Sequence, residues 1–130
     1  MTTKRVLVAD DDLATRHALL ELLRELGIEA AEAADGLDAV NQLRAGQYDL
    51  AIVDLVMPRL DGYVVIRYLE EQRPETRAIV LSGVRDEELR DVARSSVVTS
   101  VMAKPLEAAD LASKIRASLD GPAPPPRPRL

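Results

Sequence analysis

The chain has 130 residues, enough for one domain with a hydrophobic core of its own. It has no cysteine and a single histidine, which excludes a disulfide framework, a thiolate zinc site, a cysteine nucleophile and a histidine metal cluster. A net charge of −5 and only three aromatic residues argue against nucleic-acid binding by bulk charge or by base stacking. No apolar run reaches the about 20 residues of a membrane helix. The first residues lack the apolar stretch of a signal peptide, so we expect a soluble cytoplasmic domain with no membrane contact.

Apolar runs and helical periods alternate along the first half of the chain. Residues 6–9 form a continuous apolar run, typical of a buried strand. A helix follows, ended by Gly27, and its apolar face has the spacing i, i+3, i+4, i+7: Leu19, Leu22, Leu23 and Leu26. Residues 28–33 predict a weaker, charged strand. Asp35 can cap a helix that runs to about Ala45 and ends at a glycine.

The second half predicts three more strands and three more helices. The predicted strands are residues 50–53, 78–81 and 97–103. The predicted helices are one that stops before Pro74, one from an Asp86 cap to about Ser95, and one over residues 107–119.

Five strand–helix units in alternation predict an α/β fold, a doubly wound parallel sheet with helices on both faces. The strands that begin at Val6, Leu50 and Ala78 are continuously apolar and should be central, whereas the charged strand near Ala30 should lie at an edge. We expect this domain to occupy residues 1–120. Residues 121–130 contain five of the eight prolines, and we interpret them as a disordered tail or linker stump.

Polar side chains follow four of the predicted strands. Three acids (10–12) follow the first strand, and Asp54, Ser82 and Lys104 end the third, fourth and fifth. In an open parallel sheet, ligands bind outside the carboxyl ends of the strands, so these side chains should share one rim. Each alone has an ordinary explanation, such as helix capping by Asp12, but Asp54 follows four apolar residues, where an unpaired carboxylate is costly.

The chemistry of this rim is specific. Clustered carboxylates repel one another and need a cation, and a few acidic oxygens suit Mg²⁺, which often bridges to phosphate. A carboxylate beside Mg²⁺ can attack phosphorus and form an aspartyl phosphate. A lysine and a hydroxyl can then neutralise and bind the phosphoryl oxygens.

Four segments carry a resemblance to a known family: VLVADDD (6–12), DLVMPRLDG (54–62), LSG (81–83) and AKPL (103–106). With them the chain resembles the receiver domain of a bacterial two-component response regulator. The resemblance implies a flavodoxin-like (βα)5 fold with strand order 2-1-3-4-5. It also implies a phosphorylation-dependent conformational switch in signal transduction, not an enzyme acting on an external substrate. Such a phosphoacceptor assists its own phosphorylation and dephosphorylation.

The resemblance assigns the metal site and the phosphoacceptor. Asp54 matches the phosphoacceptor, Asp11 the direct Mg²⁺ ligand, and Asp10 the acid that holds Mg²⁺ through water. Asp54 and the backbone carbonyl of Val56 complete the implied metal ligands. Asp12 matches a position that is often acidic but is not a required ligand.

Further residues match the switch and the loops around it. Ser82 matches the switch hydroxyl, and Lys104 the lysine that pairs with the phosphate. The Lys104–Pro105 peptide bond matches one that is cis in the family. Gly62 is expected to supply a positive φ at the end of its loop.

The sequence departs from the family in three places. Val101 stands where the family usually has a Tyr or Phe that turns inward on activation, so we expect a smaller conformational change, concentrated in residues 82–86. Val97 and Val98 replace a common Gly-Ala pair, so the preceding turn must be built differently. Val56 and Val84 stand two residues after Asp54 and Ser82 and cannot orient a water molecule, which predicts slow self-dephosphorylation.

Two other functions stay open at this point. The first is a Mg²⁺-dependent phosphatase of the haloacid dehalogenase type, which needs a second acid where Val56 stands. The second is a pseudo-receiver, an interaction module that is not phosphorylated. For a receiver, the implied partners are a sensor histidine kinase or a histidine phosphotransfer protein and an unidentified downstream protein, without direct nucleic-acid contact. The resemblance also leaves open a phosphorylation-dependent homodimer.

Overall fold

The fold was obtained as a computed structural model that describes residues 3–83 and 88–120. Five strands and five helices alternate in these residues. The strands are β1 (Arg5–Ala9), β2 (Glu29–Ala33), β3 (Leu50–Asp54), β4 (Arg77–Ser82) and β5 (Val98–Ala103). The helices are α1 (Leu13–Glu25), α2 (Gly36–Ala45), α3 (Gly62–Gln72), α4 (Glu88–Ala93) and α5 (Ala108–Asp120). The predicted Asp86 cap, Val84 and the tail 121–130 lie outside the described residues.

The five strands form one parallel sheet with the order β2-β1-β3-β4-β5. This order confirms the predicted doubly wound fold. The charged strand β2 lies at an edge, and the apolar strands β1, β3 and β4 are central, as their composition indicates. Strand order reverses between β1 and β3, which lie side by side, so the carboxyl ends of these two strands flank the switch point where ligands bind in such sheets.

The sheet separates two hydrophobic layers. Helices α1 and α5 pack on one face through side chains such as Leu23 and Ile115, and α2, α3 and α4 pack on the other through Leu43, Leu69 and Val92. Successive strand residues point to opposite faces. Among the described residues, the layer with α1 and α5 contains no aromatic residue, whereas Tyr48 is buried in the other layer, and Tyr63 and Tyr68 pack against it.

The loop from β3 to α3 differs from the prediction in one respect. The positive φ expected at Gly62 is wrong: Arg59 has a φ of 71°, and its side chain pairs with Asp35 at 3.4 Å. Gly62 is required for space instead. A Cβ there would lie 2.3 Å from the carbonyl oxygen of Asp54 and 2.6 Å from Cα of Leu55. This close approach sets the first turn of α3 directly against the end of β3.

The turn between α4 and β5 is built on Ser95. Its N–H donates to the carbonyl of Val92, and its hydroxyl donates to Glu70 Oε2 on α3 at 2.7 Å. Val97 is fully buried after this turn. The turn that precedes Val97 and Val98, the pair that replaces Gly-Ala, is therefore built on a serine, and α4 ends at Ala93, two residues before the predicted end.

Helix length and composition bear on membrane association. Within residues 3–83 and 88–120, none of the helices combines the length and the apolar character that crossing a bilayer demands.

Candidate functional site

The first part of the site is the loop that follows β1. Asp10 is fully buried, and its N–H donates to the carbonyl of Ala33 at 3.2 Å, which extends the pairing of β1 with β2 by one residue. Its Oδ1 accepts a hydrogen bond from the N–H of Asp12 at 2.9 Å. Asp11 is exposed beside it. The loop therefore presents one buried and one exposed carboxylate at the rim.

Asp12 caps α1, as its position predicts. Its carboxylate accepts from the N–H of Thr15 at 3.0 Å and from the Thr15 hydroxyl. These two hydrogen bonds, the hydroxyl first, lower the pKa of the Asp12 carboxyl. Asp12 therefore stabilises the start of the helix, which leaves Asp10 and Asp11 to the site.

Asp54 ends β3, the most buried strand of the sheet. The residue is 5% exposed, and its Oδ1 accepts from the N–H of Val56 at 3.2 Å. Burial raises the pKa of the Asp54 carboxyl, and the hydrogen bond from Lys104 opposes that rise only in part. The nearby charge of Asp10 raises the pKa further. The ionised carboxylate is thus held in an unfavourable environment, as befits a reactive group.

Lys104 joins the two buried acids. Its Nζ lies 2.9 Å from Asp10 Oδ2 and 3.0 Å from Asp54 Oδ2. Burial acts to lower the pKa of Lys104, but its contacts with Asp10 and Asp54 outweigh that effect and raise it. The peptide bond from Lys104 to Pro105 is cis, as the resemblance implied. One ammonium group therefore serves two carboxylates.

Ser82 lies at the same rim, at the carboxyl end of β4. It is buried, and its carbonyl accepts from the N–H of Lys104 at 2.9 Å. β4 pairs with β3 on one side and with β5 on the other, so Ser82 stands between the ends of the strands that carry Asp54 and Lys104. The structure thus brings the predicted site residues to one edge of the sheet.

Two valines at departures from the family pattern occupy different environments. The side chain of Val56 is exposed beside Asp54, with 63% of the residue accessible. Val101 is half-buried in β5 and packs against the layer formed with α2, α3 and α4. Neither side chain offers a hydrogen bond.

The carboxylate oxygens form a set that suits a hard cation. Asp10, Asp11 and Asp54 each offer an oxygen, and these atoms lie within 4.8 Å of one another. Asp10 Oδ2 is buried and accepts no hydrogen bond from the described residues, so its contact with Lys104 is ionic. Clustered acidic oxygens, of which the buried Asp10 Oδ2 has only the ion pair with Lys104, fit Mg²⁺ coordination by charge and by donor type.

Arg16 is a residue of this region that sequence reasoning missed. It is buried on α1, its Nη1 donates to the carbonyl of Asp10 at 2.8 Å, and its Nε donates to Glu32 Oε1 at 3.0 Å. Two features of the sequence could have indicated this role. Arg16 lies one helical turn after Asp12, and a glutamate, Glu32, lies in the next predicted strand.

Comparison with known proteins agrees with this geometry. The family described as response regulator receiver domain matches residues 6–116. The chain is 35% identical over 109 residues to the transcriptional regulatory protein PdtaR of Mycobacterium tuberculosis, covering 83% of this chain and 53% of PdtaR. It is 30% identical over 115 residues to the response regulator MprA of Mycobacterium avium, covering 88% of this chain and 50% of MprA.

Solved structures show the same fold. A CheY-like receiver domain from Methanospirillum hungatei superposes with a TM-score of 0.87 at 25% identity, covering 92% of this chain and 95% of that one. The response regulator TrrA of Thermotoga maritima, solved in complex with Mg²⁺-BeF, has a TM-score of 0.79 at 29% identity, covering 90% and 100%.

The chain therefore belongs to the response regulator receiver domain family, with a CheY-type, flavodoxin-like fold. A receiver domain is the part of a two-component system that switches conformation on phosphorylation. The phosphatase and pseudo-receiver alternatives are not favoured by these relationships. The chain spans about half the length of the curated relatives it matches.

Proposed function

We propose that Asp54 accepts a phosphoryl group from a phosphohistidine of a sensor kinase or phosphotransfer protein, with Mg²⁺ bound at the acidic rim. The observation that carries this proposal is the position of Lys104 Nζ, within 3.0 Å of both Asp54 and Asp10. An ammonium at this point lies where charge must be neutralised when a dianionic phosphoryl group reaches Asp54.

Asp54, Lys104 and Ser82 have different roles in phosphotransfer. An Asp54 carboxylate oxygen attacks phosphorus as the bond from phosphorus to the donor nitrogen breaks, which leaves an acyl phosphate and a free histidine. Lys104 then pairs with a phosphoryl oxygen. The Ser82 hydroxyl moves toward the phosphoryl group and donates a charge-assisted hydrogen bond to a second phosphoryl oxygen. This movement of Ser82 begins the conformational change.

The three acids and one carbonyl would hold the metal. Asp11 and Asp54 would bind Mg²⁺ directly, Asp10 would bind it through water, and the backbone carbonyl of Val56 would be a further ligand. When bound, Mg²⁺ supplies positive charge to the phosphoryl oxygens during transfer. TrrA was solved with Mg²⁺-BeF, which supports this assignment for a relative of the same fold.

The domain assists its own chemistry without acting on other substrates. We infer slow self-dephosphorylation because Val56 stands beside Asp54 with a side chain that cannot orient water. The same residue argues against a haloacid dehalogenase mechanism, which needs an acid at that point. The downstream protein is proposed to bind the domain through protein contacts, since the net charge of −5 disfavours nucleic acid.

Phosphorylation by a small acyl phosphate tests the proposal. The protein is incubated with acetyl phosphate and Mg²⁺, and its intact mass is measured. We expect one phosphoryl adduct in the wild type and in Asp38→Ala, an exposed acid on α2, and none in Asp54→Ala. An adduct in Asp54→Ala would reject Asp54 as the phosphoacceptor, and turnover of a phosphate ester would favour the phosphatase instead.

The metal assignment has its own test. A cation that binds only the folded protein raises its melting temperature by mass action. Millimolar Mg²⁺ should therefore raise the melting temperature of the wild type, and Asp11→Ala should remove most of that rise. An equal rise in Asp11→Ala would show that Asp11 is not a metal ligand.

A further inference from the structure

Arg16, in the first turn of α1, is an unusual residue for a helix to bury. It is 9% exposed and is the buried arginine of the described part of the chain. Arginine is almost never buried unless it is paired, because an isolated buried charge is costly. Its partners therefore indicate what it does.

The guanidinium links the first turn of α1 to the loop after β1 and to strand β2. Its Nη1 donates to the backbone carbonyl of Asp10 at 2.8 Å, and its Nε donates to Glu32 Oε1 at 3.0 Å. Glu32 lies on the edge strand β2, and its own carbonyl accepts from Gln42 Nε2 on α2 at 2.6 Å. Arg16 is thus held by a residue that is itself anchored.

The contact with Asp10 lies at the start of the loop after β1, directly before Asp11. The peptide unit is planar, so the Asp10 carbonyl and the N–H and Cα of Asp11 share one plane. A bond that fixes the Asp10 carbonyl therefore fixes the direction in which the chain leaves toward Asp11. The N–H and Oδ1 of Asp10 are held by Ala33 and Asp12 on the other sides.

We propose that Arg16 is a positioning residue for the cation site, and that Glu32 acts through it. Arg16 holds the plane that orients Asp11 relative to Asp10 and Asp54, so that the three carboxylates converge before a cation arrives. This inference rests on the proposed function, because it concerns the Mg²⁺ affinity and phosphorylation of that same rim.

Two other roles for Arg16 make different predictions. If the guanidinium acted only through its charge, it would repel a cation, so its removal would tighten Mg²⁺ binding. If it only tied α1 to the sheet, its removal would lower stability and leave the affinity of the folded protein unchanged. Positioning predicts weaker binding, since residues that orient metal ligands typically contribute about 10- to 100-fold in affinity.

The experiment measures Mg²⁺ dissociation constants by calorimetric titration, on the full chain, at a temperature well below each melting point. Phosphorylation by acetyl phosphate is followed in parallel by intact mass. The variants are Arg16→Met, Arg16→Lys, Glu32→Gln and the double variant Arg16→Met/Glu32→Gln. Arg24→Met is the matched control, because Arg24 is an exposed arginine two turns further along the same helix.

We expect Arg16→Met to weaken Mg²⁺ binding about tenfold and to slow phosphorylation at subsaturating Mg²⁺. Arg16→Lys keeps the charge but loses the planar fork, so it should recover only part of the affinity. Glu32→Gln should give a smaller loss that disappears in the Arg16→Met background. Arg24→Met should match the wild type within about twofold, because it touches no ligand.

Several results would overturn the inference. Tighter Mg²⁺ binding in Arg16→Met would assign the effect to charge, and an unchanged constant with a lower melting temperature would make Arg16 merely structural. If Arg16→Met does not fold, full affinity in Arg16→Lys would overturn it equally. A wild type that binds no Mg²⁺ and takes no phosphate would overturn the proposed function as well. If the wild type binds Mg²⁺ and is phosphorylated, and the Arg16 variants do both equally well, only this inference is overturned.

Discussion

Replacing Lys104 with methionine should destabilise the domain strongly, because it leaves two buried acids without their shared cation. Asp10 is fully buried, and the side chain of Asp54 is 8% exposed. Removing one partner of a buried ion pair costs about 3–5 kcal/mol. Since the Lys104 side chain is 26% exposed, water can reach the gap in part, so we expect the low end, about 3 kcal/mol.

The loss can be measured as a change in melting temperature without divalent cations. The unfolding entropy of a domain of about 120 residues is about 0.25 kcal/mol per kelvin, so about 3 kcal/mol corresponds to about 12 °C. Lys4→Met is the matched control. Lys4 lies 4.0 Å from Asp49 with both side chains half-exposed, and such a surface pair contributes about 0.2–1 kcal/mol.

Mg²⁺ and pH distinguish this explanation from a general loss of packing. A divalent cation at the acids replaces the missing charge, so millimolar Mg²⁺ should narrow the gap between Lys104→Met and the wild type. The pKa of Lys104 is raised in the folded protein. The ammonium group therefore stabilises the fold fully below about pH 10.5, and this effect is lost only as the pH rises through the pKa of Lys104 in the folded state. A loss below about 1 kcal/mol, or a gap that Mg²⁺ leaves unchanged, would refute this account of the site.

Three further outcomes are expected. Burial raises the pKa of Asp54 above 3.8, so its ionised form opposes folding at neutral pH. Asp54→Asn should therefore raise the free energy of unfolding, measured by urea titration, by about 1 kcal/mol at pH 7. This gain should vanish as the pH falls toward 3.8. Gly62→Ala should cost about 3 kcal/mol or more because its Cβ would meet backbone atoms, whereas Gly83→Ala, with nothing within 4 Å, should be nearly neutral. On addition of fluoroberyllate, which stands in for the phosphoryl group on Asp54, amide shifts should change more in residues 82–90 than around Val101. The reverse pattern would show that the stiff valine still takes part in the conformational switch.

The fold was predictable because its strands differ in composition. β1, β3 and β4 are continuous apolar runs that only a sheet covered on both faces can bury, and the charged β2 had to lie at an edge. The alternation with amphipathic helices then required parallel strands and one rim of carboxyl ends. That rim predicts from the sequence that Asp54 and Lys104 lie together.

The features that escaped prediction depend on three-dimensional proximity. Arg16 belongs to the polar positions of an amphipathic helix in sequence, and only the packing of α1 beside β2 shows that it is buried against Glu32. Gly62 was expected to serve backbone conformation because glycine commonly does so. Its actual constraint, the approach of α3 to Asp54, is set by a contact between two elements, and the positive φ falls on Arg59 instead.

The negative charges at the rim outnumber the positive charge that faces them. One ammonium faces the carboxylates of Asp10 and Asp54, with Asp11 beside them, so negative charge remains in a partly desolvated site. A second lysine would stabilise the domain, but it would fill the space that a cation and a phosphoryl group require, and it would neutralise the carboxylates that attract the cation. Burial first, and then the charge of Asp10, raise the pKa of Asp54 against the hydrogen bonds from Lys104 and Val56. The excess negative charge that destabilises the resting fold would therefore also attract a cation, and we expect stability and phosphorylation to be coupled at this rim through Lys104.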